Sequence, residues 1–305
     1  MKNYSQLKGL TAAAFTPIDA AGKVNLSIIE PYAKLLIETG LAGIFPCGTT
    51  GEFASLTTEE RKQIAAAWVH HAKGKLKVIV HVGSNCQSQS IELAKHAYEI
   101  GADGIAAIAP CFFKPQTVSD LIDFFVPVAD AAKEIPFYYY NMPAMTGVDL
   151  SVTEFLHEGK QRMPNLAGVK YTHNNLMEMA ACLHLDHGAF EVLHGYDEIL
   201  ITGLALGAVA GVGSTYNYLP EVYAGIIEAM KKEDVKTARA LQLKSIEIVN
   251  IIIKYGGGVR GGKAIMKLIG IDCGSCRLPI RAFNEEEYEL LKKDLEQINF
   301  FQNKK

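Results

Sequence analysis

The sequence predicts an α/β protein: a single (β/α)8 TIM barrel with a C-terminal helical appendage. Three observations predict it. Short apolar runs alternate with longer amphipathic stretches and the rhythm does not break, the pattern of a parallel sheet with right-handed crossovers. The runs number eight, which favours a closed barrel over an open doubly wound sheet. The chain has 305 residues, about 50 more than such a barrel needs, and the surplus follows the eighth unit. The barrel is assigned to residues 1–232 and the appended helices to 233–305. No proline- or serine-rich linker separates the two, so the helices are expected to pack on the barrel.

The elements follow in order. Residues 9–15 form the first strand, stopped by Thr16-Pro17, and residues 25–40 have helical spacing with Gly40 as the C-terminal stop. The second strand, 43–47, leads to a helix opened by Thr57 as N-cap with Glu59 and Glu60 behind it. Strands at 77–82 and 104–109 alternate with helices at 88–101 and 118–133. A fifth strand at 136–140 precedes a helix from Ser151, and a sixth at 166–170 precedes one from about Asn175. The seventh strand, 190–194, is followed by a short helix at 198–206, and the eighth, 208–212, by a helix at 222–231. Helices at 234–254, 263–268 and 285–298 make the appendage.

Hydrophobic residues make up 49% of the chain and charged residues 21%, a composition that supports a large core and excludes a disordered chain. Thirty basic residues face 33 acidic ones for a net charge of −3, so nothing marks a nucleic-acid partner. The terminal Lys304-Lys305 is too short to count. Residues 1–6 lack the apolar stretch of a secretory leader, and no apolar run approaches the ~20 residues of a membrane span. A soluble, cytoplasmic protein with no membrane partner is expected. The six cysteines are scattered and read as reduced core thiols, and Cys273-Gly-Ser-Cys276 reads as two thiols in a loop.

In a barrel of this kind the active site stands at the C-terminal ends of the strands. Lys170 closes an apolar strand there. An amine withdrawn from water is more readily neutral, and the neutral amine attacks carbonyls, so Lys170 is the candidate Schiff-base nucleophile. Tyr140 ends the neighbouring strand and can relay a proton. Alternation puts Tyr138 with Tyr140 on one face and Tyr139 on the other. Thr49 and Thr50, in Gly48-Thr-Thr-Gly-Glu52, offer hydroxyls and backbone N–H groups suited to a carboxylate. Asp197 and Glu198 can bind polyol hydroxyls, or simply begin a helix; both readings stand. The histidines show no zinc-ligand spacing, so no metal is expected. Gly207 and Gly211 to Gly213 make no dinucleotide fingerprint.

Taken together, Gly48-Thr-Thr-Gly-Glu52, Tyr140-Asn-x-Pro143 and Gly168-Val-Lys170 resemble the signature of the class I pyruvate-dependent lyases and aldolases, the dihydrodipicolinate synthase and N-acetylneuraminate lyase family. The resemblance runs from about Leu10 to Leu295. In the synthase branch an arginine two residues after Pro143 holds the second substrate's carboxylate; Met145 stands there in this chain and has no bidentate donor. Pro143-Ala-x-x-Gly147, Lys170-Tyr-Thr172, Gly195-Tyr-Asp-Glu198 and Gly213-Ser-Thr-Tyr-Asn217 look like the sialic acid lyase branch. That resemblance implies aldol cleavage of a sialic acid through a lysine imine. It gives Thr172, Gly195, Asp197, Glu198 and Ser214 to the sugar, implies pyruvate as the small-molecule partner, and calls for no cofactor beyond the covalent imine. It also implies a homotetramer. Another pyruvate aldolase, synthase or sugar-acid dehydratase of the family is the alternative, and a non-catalytic binding barrel is a third reading. Many members carry a tyrosine after strand four that reaches a neighbouring subunit's site. Phe112 stands in its place and has no hydroxyl to relay a proton.

Overall fold

A computed structural model describes residues 7–303. The terminal stretches read above for a leader and for basic charge, 1–6 and 304–305, lie outside them. Eight parallel strands pair in chain order and the eighth pairs with the first, closing a barrel. They are β1 (Gly9–Ala13), β2 (Gly43–Phe45), β3 (Lys77–His81), β4 (Gly104–Ile108), β5 (Phe137–Asn141), β6 (Leu166–Tyr171), β7 (Glu191–His194) and β8 (Ala210–Gly213). The helices between them are α1 (Ile29–Glu38), α2 (Thr58–Ala72), α3 (Gln87–Glu99), α4 (Val118–Asp130), α5 (Pro143–Thr146), α6 (Val152–Arg162), α7 (Leu176–His184) and α8 (Leu200–Ala205). After β8 come α9 (Pro220–Lys231) and the appended α10 (Val235–Lys254), α11 (Gly257–Leu268) and α12 (Glu285–Gln297).

Most elements form where the sequence puts them. Thr57 caps α2 through a reciprocal capping box with Glu60, which satisfies two of the helix's orphan donors. Three differences matter. The single-turn α5 was not expected; Pro143 opens it and Gly147 closes it in the left-handed region at φ 62°. The 198–206 helix is split, a 3-10 turn over Asp197–Ile199 preceding α8. α11 begins at Gly257, six residues before the expected start, because the glycine run that looks like a breaker supplies the positive φ of Gly256 and Gly257 at its entry.

The strands bury both faces, so two cores result. Outward residues such as Ile44, Val80, Ala107 and Tyr139 pack under the helices. The alternate positions, including Phe45, Ile79, Ile108, Tyr138, Tyr140, Leu193 and Val212, fill the barrel interior. Tyr138 and Tyr140 thus share the inner face, and Tyr139 packs outward on Phe125 and Phe155.

β6 carries a local irregularity that decides the site. Phe137 pairs with Leu166 but Tyr138 pairs with Gly168, so Ala167 is an extra residue on β6. Leu166 lies in the outer core and Ala167 in the inner one. Strict alternation from Ala167 would send Lys170 outward; the bulge resets the phase and turns it into the barrel. Gly168 has to lack a side chain here, because a Cβ would stand 1.9 Å from the Glu191 carbonyl oxygen.

All six cysteines are free thiols, but the expectation of core thiols holds for only half of them. Cys47, Cys182 and Cys273 are buried and Cys276 is half-buried, whereas Cys86 and Cys111 are exposed on loops. Among the described residues, no helix is long and apolar enough to cross a membrane.

Candidate active site

Tyr140 and Lys170 are paired across β5 and β6 at the C-terminal end of the barrel. Lys170 is 4% exposed. Its Nζ lies 3.9 Å from the centre of the Tyr140 ring and 4.3 Å from that of Phe45. Among the described residues no carboxylate pairs with it. The two rings meet edge to face, with centroids 5.8 Å apart, and fix the ammonium stem between them.

The Tyr140 hydroxyl stands 3.3 Å from Thr49 Oγ1 and donates to Met142 Sδ at 3.0 Å. Thr49 thereby joins the lysine–tyrosine pair, and Thr50 follows it in the same turn. Two bonds hold this turn from behind: Glu52 N–H donates to the Thr49 carbonyl at 3.0 Å and Phe53 N–H to that of Gly48 at 3.3 Å. Gly48 leaves room for the Phe45 ring, which a Cβ would meet at 2.8 Å.

On the opposite side, Thr172 is buried at 3% exposure and its hydroxyl has no hydrogen-bond partner. An orphaned buried hydroxyl on a cavity wall is poised for a ligand. Gly195 makes this possible: a Cβ there would stand 1.9 Å from Thr172 Oγ1. Asp197 is not simply a free acceptor. Its Oδ2 accepts from the Thr215 N–H at 2.8 Å and the Thr215 hydroxyl at 2.5 Å, which ties β7's exit to β8's. Burial, and then the charge of Asp197, push the Glu198 carboxyl up to about 7.

All nine residues singled out from the sequence line one cavity of about 540 Å³: Thr49, Thr50, Tyr140, Lys170, Thr172, Gly195, Asp197, Glu198 and Ser214. That size suits a single metabolite. Sequence reasoning missed three contributions. Met142 touches both the Thr49 and the Tyr140 hydroxyl. The appendage supplies a wall of Val249, Ile252 and Ile253 from α10, Val259 from α11, and Ile280. Beneath the Thr49 turn, the buried His81 contacts the Cys47 carbonyl at 2.8 Å through Nδ1, and buried Arg61 donates to the carbonyls of His81 and Gly83 at 2.8 and 2.9 Å. Burial, and then the Arg61 charge, hold His81 well below the usual histidine range, so its imidazole is neutral. Only the polar ends of β3 and α2 hinted at this support; nothing local paired them.

This cavity can be set beside known proteins. The family model for the dihydrodipicolinate synthetase family matches residues 6–298. A curated N-acetylneuraminate lyase of Gallus gallus is 44% identical over 302 residues, 98% of either chain. Among solved structures, N-acetylneuraminate lyase of Aliivibrio salmonicida superposes with a TM-score of 0.94 at 40% identity, covering 97% of this chain and 98% of that one. The Proteus mirabilis N-acetylneuraminate lyase also gives 0.94, at 37% identity over 97% and 100% of the two chains. With its eight-stranded barrel, its full-length match and its relatives above 40% identity, the chain belongs to the dihydrodipicolinate synthetase family, whose members of this kind are class I carbon–carbon lyases.

Proposed function

We propose that this chain catalyses the reversible aldol cleavage of N-acetylneuraminate to N-acetylmannosamine and pyruvate through an imine on Lys170. The observation that carries the reading is the buried Lys170 amine beside the Tyr140–Thr49 hydroxyl pair, in a cavity whose far wall is polar. Thr49 and Thr50 hold the substrate carboxylate. The Lys170 amine attacks the C2 ketone of the open-chain sugar acid and water leaves, giving the iminium. The C3–C4 bond then breaks; its electrons pass into the iminium as an enamine, and C4 leaves as the aldehyde of N-acetylmannosamine. The proton of the C4 hydroxyl goes to the Tyr140–Thr49 pair and returns to C3 of the enamine. Hydrolysis frees pyruvate and the amine. Lys170 supplies the electron sink, so the steps call on no metal or organic cofactor.

Met145 lines the same cavity and offers a thioether where a second carboxylate substrate would need a guanidinium. This favours a sugar acid over a synthase-type partner. The decisive assay incubates the protein with N-acetylneuraminate and with other 2-keto-3-deoxy acids and measures pyruvate and N-acetylmannosamine. Pyruvate from N-acetylneuraminate supports the reading; pyruvate only from other acids replaces it with the family alternative.

Two predictions arise here. Gly195→Ala would push the Thr172 hydroxyl out of its place. It is expected to raise KM for the sugar acid by about tenfold or more while pyruvate still traps at Lys170; steady-state kinetics with borohydride trapping checks both. The raised Glu198 carboxyl is largely protonated below about 7 and a pure acceptor above it. With sugar hydroxyls as its partners, kcat/KM should rise as pH climbs through that value, and Glu198→Gln should flatten this limb. The sign for stability is opposite. The native state keeps this proton after the unfolded chain has lost it, so its contribution is fully present below about 4.5 and is lost as pH rises to about 7.

The homotetramer and the cytoplasmic setting also belong to this proposal. Phe112 and Phe113, 77% and 86% exposed on the loop after β4, offer apolar surface for contact between copies. Light scattering should give about four times the 33.3 kDa chain mass.

A further inference from the structure

We infer that Glu52 and Lys263 form a latch by which the C-terminal appendage holds the Thr49–Thr50 turn in its carboxylate-binding shape. Deepening the function proposed above, the inference makes both positioning residues, not catalytic ones.

Glu52 stands three residues after Thr49 in the left-handed region, at φ 57° and ψ 36°. A non-glycine residue keeps that conformation only where its surroundings over-determine it. Here they do. Lys263 Nζ, from α11, lies 2.6 Å from Glu52 Oε1, and both side chains are 2% exposed. The Arg277 N–H donates to Glu52 Oε2 at 2.8 Å, and Lys263 donates to the Ser275 carbonyl at 3.0 Å. The carboxylate and ammonium are thus buried as an ion pair, and the appendage supplies the hydrogen bonds to Glu52 Oε2 and from Lys263.

The turn's remaining anchors belong to the barrel. Thr16 donates its hydroxyl to the Gly51 carbonyl at 2.7 Å, and Glu52 N–H reaches back to Thr49. Within residues 48–52, the side-chain hold from the appendage passes through Glu52; Arg277 also donates to the Ser55 carbonyl at 2.8 Å, just beyond the turn. The same helix that carries Lys263 also presents Gly257, Gly258 and Val259 to the cavity. A shift of α11 would therefore move a wall and the carboxylate turn together. That links the 233–305 segment to the reaction, where its sequence suggested only packing. Removing either partner leaves the other charge buried and uncompensated, and the least costly relief is release of the turn.

The test compares wild type, Glu52→Gln and Lys263→Met, with Lys254→Met as control; the last breaks the exposed Lys254–Asp294 pair of the same appendage. Four quantities are measured: the thermal midpoint, amide hydrogen exchange over residues 48–53, the pyruvate concentration that half-saturates borohydride trapping on Lys170, and kcat for N-acetylneuraminate. Faster exchange at the turn and a half-saturating concentration raised at least about tenfold, with kcat changed much less and the control unaffected, are expected. Glu52→Gln keeps an acceptor for Arg277 and adds no volume, so it answers for the latch should Lys263→Met fail to fold. A lower thermal midpoint with unchanged exchange and unchanged pyruvate half-saturation would overturn the latch. Should wild type itself trap no pyruvate, the function proposed above fails, and the exchange rates alone still decide the latch.

Discussion

Lys170→Ala is expected to fold and to lose at least about 10⁴-fold in kcat/KM for N-acetylneuraminate. Among the described residues that line the cavity, Lys170 alone carries an amine, and in the proposed mechanism its loss leaves the C3–C4 electrons without an acceptor. Its stem packs between the Phe45 and Tyr140 rings, so truncation leaves a small void, and the thermal midpoint should fall by only a few degrees. Binding should survive, since Thr49, Thr50, Thr172 and Ser214 remain on the cavity wall. Calorimetry that finds the sugar acid bound but not turned over would separate the lost chemistry from lost folding.

Tyr140→Phe is expected to lower kcat by about 10²–10⁴-fold and to leave imine formation with pyruvate largely intact. The substitution keeps the ring above Lys170 and its edge-to-face contact with Phe45. It removes only the hydroxyl that meets Thr49 and Met142. In the proposed mechanism that hydroxyl carries the proton between the C4 oxygen and C3, whereas trapping of pyruvate does not need the same transfer. A variant that traps pyruvate poorly but cleaves well would reverse the assigned role. With Phe112 exposed and lacking a hydroxyl, no second phenol at that position can substitute for the missing one.

Why the site could be read so far from sequence follows from its construction. Every residue named from the sequence stands at a strand end or in the turn just after it, where barrel topology puts functional groups. The eight strands were legible because parallel strands covered on both faces are nearly continuous apolar runs. What could not be read depends on contacts between distant segments. The Ala167 bulge, which turns Lys170 inward, leaves no local mark in Leu166-Ala-Gly-Val-Lys170. Arg61 and His81, 20 residues apart, look like a surface charge and a strand end until the fold brings them under the Cys47 carbonyl. Lys263 sits in Gly261-Gly-Lys-Ala264, where it reads as an ordinary helix lysine, and its partner Glu52 is 211 positions away by subtraction. Gly256 to Gly258 illustrate the reverse error. A propensity rule reads them as a break, but they admit the chain into α11 and bring its first turn to the cavity.

Asp197 shows where a motif says less than the structure. Read as a sugar ligand, it also clamps Thr215 through one carboxylate oxygen, and Gly213 must lack a side chain because a Cβ would meet the Asp197 carboxyl at 2.7 Å. Replacing Asp197 would disturb the β8 exit together with any sugar contact. Glu198, half-buried and held near neutrality, is the better probe of the polyol side.

One measurement bears most directly on the central claim. The protein is incubated with N-acetylneuraminate, reduced with borohydride, digested and mapped by mass spectrometry. The account predicts one reduced adduct, on the peptide that contains Lys170, with loss of activity in proportion to its formation. An adduct on another lysine, or full turnover with no adduct at Lys170, would contradict it.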